Sequence, residues 1–312
     1  MNSLNFSTLI RWLITIQDSG YPWTLQKNPK GVDRCLLSSA SLFCKLSKIY
    51  ENYFQPDKEE LKKIILSFTR KKDGMLEDIS GKQNIISETR QAFSGLKNIG
   101  EKLPPFDPSE YFQEPLYFLQ DDEWDNPWGA GAHLSHYLFF MKQTGQTSKI
   151  SEALDRIKIY EHEDGWYRNK PDDHTLVNGI MKVMTAYDAA KVEIPASLKE
   201  TILDYVFKYA CEGGGCGIYD FVYVVDKCMD LGLHTDKCEK SLKNCFEFIL
   251  KHQKKDGGFS YNLNQCQTSF YGRRIADPFA CGDVHGTTLL SMALVRIDSG
   301  LNLDYNLSFA VT

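Results

Sequence analysis

Cysteine, histidine and carboxylate residues gather at a few places in this chain, at spacings that chemistry can use. Cys281 and His285 are four residues apart and on a helix would share one face. That spacing suits a metal chelate, or a thiol with its base beside it. Asp220, on the preceding helical run, can supply a third group. Two roles follow for Asp220, Cys281 and His285. They hold zinc, or, without a metal, His285 draws the Cys281 proton while Asp220 orients the imidazole. His133 and His136 are also chelate-spaced, and Gly129, Ala130, Gly131 and Ala132 before them let a ligand or a neighbouring helix come close. Asp172, Asp173, His174 and Asn178 form a third group. Trp128, Tyr219, Tyr223 and Asp283 complete the polar and aromatic set. Capping of helix starts accounts for Asn126, Asp172 and Asp277, but it does not account for four histidines.

Whether these groups meet depends on the elements that carry them. Helical runs ending in a turn rich in Asp, Gly and aromatics recur at Asp18, Asp73, Asp121, Asp164, Gly213 and Asp256, at intervals of 43 to 55 residues. The last of them, "FEFILKHQKKDGGFSY", ends in Gly257-Gly258, which stop a helix because Gly takes the left-handed conformation freely. A second helical run follows each turn. Six helix pairs result, over 1–50, 51–101, 109–145, 148–193, 197–232 and 237–300. Second helices are expected to begin near Asp33, Glu88, Asn126, Asp172, Tyr219 and Asp277. Asn126-Pro127 and Asp277-Pro278 carry the strongest start signals, an N-cap residue before a proline at the first helical position.

Second helices such as "TLVNGIMKVMTAYDAA" are apolar nearly all round, whereas first helices such as "SLKNCFEFILKHQKK" are amphipathic. Buried inner helices and half-exposed outer ones favour a closed ring over an open solenoid. The expected fold is therefore all-α, a single-domain (α/α)6 toroid over 1–312. "YDFVYVV" is the one β-like run, and it sits where an inner helix is due. A ring brings the inner-helix N-termini to one mouth and places the chemistry-bearing residues there. It also sets the third and sixth inner helices opposite one another, so the two chelate-spaced pairs belong to separate sites.

Composition narrows the classes. Of 312 residues 42% are hydrophobic and 25% charged, as in ordinary globular proteins. A net charge of −5 with no long basic block argues against nucleic acid as a partner. The first residues, "MNSLNFSTLIRWLITIQDSG", read as an amphipathic helix broken by Arg11, too short to span a bilayer and without a cleavage site. Nine cysteines with no CxxC pair indicate a reduced, cytoplasmic protein.

The arrangement of a helix, Gln253 and Asp256-Gly257-Gly258-Phe259 resembles the repeat of the terpenoid cyclase and protein prenyltransferase β-subunit superfamily. "DVHGTTLLSMAL" is similar to the D-x-x-H-T segment near the end of the prenyltransferase β subunits. The resemblance implies an α/α toroid and an enzyme binding an isoprenoid-like or other apolar substrate in a central cavity. It also implies zinc held by an Asp, a Cys and a His, for which Asp220, Cys281 and His285 are the residues of matching type. The family, however, carries Asp and Cys as a D-x-C pair on one helix, with the His on a later one. Protein prenyltransferases also work with a separate α subunit, which this chain does not contain. "DDEWD" (121–125) matches the DDxxD pattern by which class I terpene synthases bind magnesium diphosphate, but the second motif of that class is missing and a solvated turn is the better reading. "PDDHT" (171–175) is similar to part of the acidic motif of class II cyclases, without the full DxDD.

Three functions stay open. The first is isoprenoid-like chemistry in an aromatic-lined cavity, with Trp128, Asn178, Tyr219 and Tyr223 binding substrate. In it His133, His136, Asp173, His174, Asp220, Cys281, Asp283 and His285 do acid–base or metal work. The second is a glycan-active (α/α)6 hydrolase or lyase with paired carboxylates, Asp172 or Asp173 with Asp220. The third is a binding protein without turnover, whose rim residues would keep ordinary acidities.

Overall fold

A computed structural model describes residues 4–26, 31–209, 213–229, 232 and 234–311. The protein is predominantly helical. Eleven α-helices run through the described residues: α1 (Phe6–Asp18), α2 (Leu36–Ile49), α3 (Lys58–Ser67), α4 (Lys82–Asn98), α5 (Pro127–Gln143), α6 (Thr147–Arg156), α7 (Asp173–Ala190), α8 (Ala196–Val206), α9 (Gly215–Met229), α10 (Thr235–His252) and α11 (Val284–Leu301). The named strands are two-residue pieces, Glu161–His162 against Gly165–Trp166 and Ser269–Phe270 against Arg273–Arg274. The β-like run "YDFVYVV" lies inside α9. Among the described residues no helix is long and apolar enough to cross a membrane.

Burial follows the amphipathic contrast. Helix α1 buries one stripe, Leu9, Trp12, Leu13 and Ile16, while α2 is buried nearly all round. The chain forms two compact units. One comprises Met1–Asp107, Glu212–Tyr219 and Lys243–Thr312, and the other Pro108–Cys211 and Asp220–Leu242. In the first unit α2 packs between α4 and α11. The last helix pair thus lies on the first, and Gln253 both accepts from the Asn5 amide and donates to its carbonyl, each at 3.1 Å. In the second unit α5 packs along α7. Gly131 and Gly179 permit that approach: a Cβ on Gly179 would stand 2.7 Å from Pro127, and one on Gly131 3.3 Å from the Gly179 carbonyl oxygen. The small residues of α5 therefore serve a neighbouring helix.

The Asp-Gly-Gly-Phe turn is locked rather than merely tight. Gly257 has φ +106°, and a Cβ there would lie 2.1 Å from the Thr8 carbonyl oxygen. One on Gly258 would meet the Trp12 indole at 2.5 Å. The Asp256 carboxylate accepts from the amides of Gly258 and Gly282, at 3.2 and 3.0 Å. Phe259 is fully buried, its amide donates to Thr287 Oγ1 (3.0 Å), and that hydroxyl donates back to the Phe259 carbonyl (3.1 Å). The same device recurs in this unit. Thr89 on α4 accepts from the Leu76 amide at 2.9 Å and donates to its carbonyl at 3.2 Å. Ser39 on α2 donates to the Tyr21 carbonyl at 2.7 Å. A buried hydroxyl on the second helix holds the turn that ends the first.

Several expected elements differ. The third pair lacks its first helix: 109–125 forms three short 3-10 turns, with Pro115 inside the segment withdrawing a backbone donor. The second helices expected near Glu88 and Tyr219 start earlier, at Lys82 and Gly215. Glu88 is instead a buried mid-helix carboxylate accepting from the amides of Asp78 and Ile79. The sixth second helix begins at Val284 rather than near Asp277. Asp277 gives its carboxylate to Arg274, and Asp283 takes the cap by accepting from the Gly286 amide at 2.7 Å. By contrast Asn126 and Asp172 cap α5 and α7 as expected. Cys211 and Glu212 of the fifth turn lie outside the described residues.

Thr287→Val keeps the side-chain shape but leaves the buried Phe259 amide without an acceptor, a loss of about 1–3 kcal/mol. Thr287→Ser retains the hydroxyl and most of the stability. Denaturant midpoints of the two variants check this, and equal midpoints would show that the hydroxyl holds nothing.

Candidate functional site

The second unit carries a polar and aromatic chain across α5, α7 and α9. Asn126 Oδ1 accepts from the Gly129 amide, which sets the first turn of α5 and the position of Trp128. The Asp172 carboxylate accepts from the Thr175 amide (3.0 Å) and hydroxyl (2.7 Å), starting α7 so that His174 and Asn178 fall one turn apart. His174 Nδ1 lies 3.0 Å from the Tyr209 hydroxyl, and its Nε2 lies 3.1 Å from Asn178 Nδ2. Because the Asn amide nitrogen is a donor, Nε2 is the acceptor and Nδ1 carries the proton. Ring contacts continue the chain: Trp128 to His174 at 6.3 Å, His174 to Tyr209 at 6.5 Å and Tyr209 to Phe221 at 6.2 Å.

Asp220 stands beside Phe221 on α9 and is 1% exposed. Its Oδ2 has no hydrogen-bond partner, and neither has Oδ1 of the equally buried Asn178. Burial pushes the Asp220 carboxyl up to about 7, with Lys182 opposing that shift by attraction. A charge in such a place costs several kcal/mol unless paired, so the proton stays on near neutrality.

His133 and His136 form a neighbouring cluster. The His133 ring packs at a tilt on Tyr117, centroids 4.0 Å apart, and the His136 ring lies 6.2 Å from it. Desolvation pushes His133 down to about 4, which keeps it neutral. Asp173 accepts from the Tyr205 hydroxyl. Tyr223 donates to Asp188, near the C-terminal end of α7 and away from the helix starts. "DDEWD" is a 3-10 turn engaged by the protein itself: Asp121 accepts from Tyr160, Asp125 pairs with Arg168, and Trp124 is fully buried against Tyr160.

The remaining expected residues belong to the first unit. Tyr219 is buried and lines a small cavity with Met292, Val295 and Arg296, past the middle of α11 and not at its start. Asp283 is fully buried, and beyond the Gly286 amide it accepts from the amides of Tyr261 (2.7 Å) and Gln267 (3.0 Å). Desolvation outweighs these three donors and raises it to about 6. Three backbone partners make Asp283 a structural knot. His285 Nδ1 donates to Gln267 Oε1 at 2.9 Å, and its ring stacks on Tyr261 and meets Trp23 and Phe270 edge-on.

Cys281 precedes α11, so Cys281 and His285 do not share a helix face. The Cys281 thiol is engaged by Cys266 and Gln26. Asp220 belongs to the second unit and Cys281 and His285 to the first. Among the described residues no three His, Cys, Asp or Glu side chains group as a metal site. The residues do not fit the zinc arrangement that the resemblance implies. Tyr209 and Lys182 are the participants that sequence reasoning missed, since no spacing rule singles out a tyrosine following α8 or a lysine within α7.

No protein-family model matches the chain, and no curated protein matches it.

Asp220 makes stability depend on pH in a defined sense. Its folded pKa lies above the unfolded value of 3.8, so the folded state binds the extra proton and stability falls as pH rises from about 4 through about 7. Asp220→Asn is expected to melt higher than the wild type at pH 8 and to lose that advantage near pH 4. A Tm difference independent of pH would contradict the assignment.

Proposed function

We propose that the chain closes as an (α/α)6 ring and is an enzyme acting on an isoprenoid-like or other apolar small molecule, with Asp220 as its general acid. One observation carries the reading: a carboxyl buried at 1% exposure, with an unpartnered oxygen and a pKa moved to about 7 within reach of the Lys182 charge. A general acid works best when its pKa lies near the working pH. The ring is supported by the packing of the last helix pair on the first, which a ring requires and an open solenoid lacks.

The chemistry is a proton loan. The proton of Asp220 passes to an olefinic carbon of the substrate, and the π pair becomes the new C–H bond. The adjoining carbon is left cationic, and aromatic faces stabilise such a charge. Loss of a proton from the rearranged cation to the carboxylate restores Asp220, so the net change is an isomerisation or cyclisation without an oxidant. The glycan-active alternative needs a second carboxylate facing the first. Asp172 is taken by Thr175, and Asp173 by Tyr205. A binder without turnover gives the buried, unpartnered Asp220 carboxyl no task.

The test is incubation of the purified protein with linear isoprenoids bearing terminal olefin or diphosphate groups, followed by product analysis. Expected are products from an olefin-bearing substrate, kcat/KM falling as pH rises through about 7, and a loss of about 10²–10⁴-fold in Asp220→Asn with substrate binding retained. Neither binding nor product across the series, or an Asp220→Asn variant of full activity, would overturn the reading.

A further inference from the structure

Outside the site just described, two thiols lie against one amide. Gln26 Nε2 is 3.3 Å from Cys266 Sγ and 3.5 Å from Cys281 Sγ, and it donates to the Asp277 carbonyl at 2.8 Å. The Cys266 thiol donates to the same Asp277 carbonyl at 3.1 Å. Their backbones are tied as well, since the amides of Cys266 and Cys281 both donate to the Phe279 carbonyl at 2.9 Å. Cys266 is buried and Cys281 half-buried, next to the exposed residues 278–280. Between the cysteines the chain runs out through the Ser269–Phe270 and Arg273–Arg274 hairpin and returns.

Cysteines that pack as inert apolar groups do not share a donor in this way. We infer that Cys266 and Cys281 form a redox-active dithiol that closes to an intramolecular disulfide on meeting a low-molecular-weight disulfide. Both sulfurs lie within 3.5 Å of one nitrogen and both backbones on one carbonyl, so closure asks for side-chain rotation rather than movement of the fold.

The exchange is balanced. The Cys266 thiolate attacks one sulfur of the small disulfide, a protein–small-molecule S–S bond forms, and one small thiolate leaves. Cys281 gives its proton to that thiolate, attacks the Cys266 sulfur and expels the second small thiolate, which takes up the proton released when Cys266 ionised. The protein dithiol is oxidised, and the small disulfide is reduced to two thiols. Cys266 attacks first because the Gln26 amide, 3.3 Å from its sulfur, and the neighbouring Cys281 thiol favour its thiolate once its own bond to the Asp277 carbonyl (3.1 Å) is released.

The experiment treats the reduced full-length protein with oxidised glutathione and maps the cysteine peptides by mass spectrometry. A Cys266–Cys281 link is expected, lighter than the dithiol by two hydrogens, reversed by dithiothreitol, and raising Tm by several degrees because it closes a loop. Cys281→Ser is expected to trap glutathione on Cys266, and Cys266→Ser to leave Cys281 unmodified. A trivalent arsenical, which bridges paired thiols, should bind the wild type and neither variant. Should other cysteines couple while Cys266 and Cys281 stay reduced, or should both serine variants bind the arsenical as the wild type does, the inference fails.

Discussion

The architecture of the first unit depends on one buried carboxylate. Asp283 accepts from three backbone amides, those of Gly286, Tyr261 and Gln267. One bond starts α11, one fixes the segment leaving the Asp-Gly-Gly-Phe turn, and one fixes the loop just after Cys266. Because a buried charge tolerates no idle lone pairs, all three segments must be in place together. Thr287, one turn along, binds the turn a second time through Phe259. Close backbone approach makes this possible: Gly282 lies on Gly258 so tightly that a Cβ would come within 2.5 Å of it.

The same residue type serves an opposite purpose in the second unit. Asp220 is as buried as Asp283, yet its Oδ2 has no donor. A carboxyl so placed holds its proton up to about neutral pH, because burial outweighs the attraction of Lys182, and that is a liability for stability. Asn178, with its own unpartnered oxygen, tells the same story. Satisfied and unsatisfied buried polar atoms divide Asp283 from Asp220 more cleanly than position in the repeat does.

Buried hydroxyls give the repeat its physical content. Ser39, Thr89 and Thr287 hold three turns that share hardly any sequence, "GYPW", "DGML" and "DGGF". In the second unit Gly165 packs instead on Leu176 and Ile180, an apolar solution to the same task. The degenerate turn motif reflects this freedom, since a backbone amide and carbonyl are being gripped and the side chain between them is free to vary.

Periodicity and capping were enough to read the helices, the contrast between first and second runs, and the starts of α5 and α7, because those are decided by neighbours three or four residues away. The same local signal misled at Asp277-Pro278, where a good cap sequence lost its carboxylate to Arg274 and a competing cap at Asp283 had three partners. Glu88 misled likewise, as a mid-helix carboxylate held by amides from another segment. For the candidate site, the residue types were legible but their company was not. Nothing local places Tyr209 on His174 or Cys266 against Cys281, since those contacts join residues 15 or more apart, and nothing local leaves Asp220 Oδ2 without a donor. Burial and pairing across such separations are properties of the packed chain, so only the tertiary structure decided which polar residues are spent on the fold and which are left for chemistry.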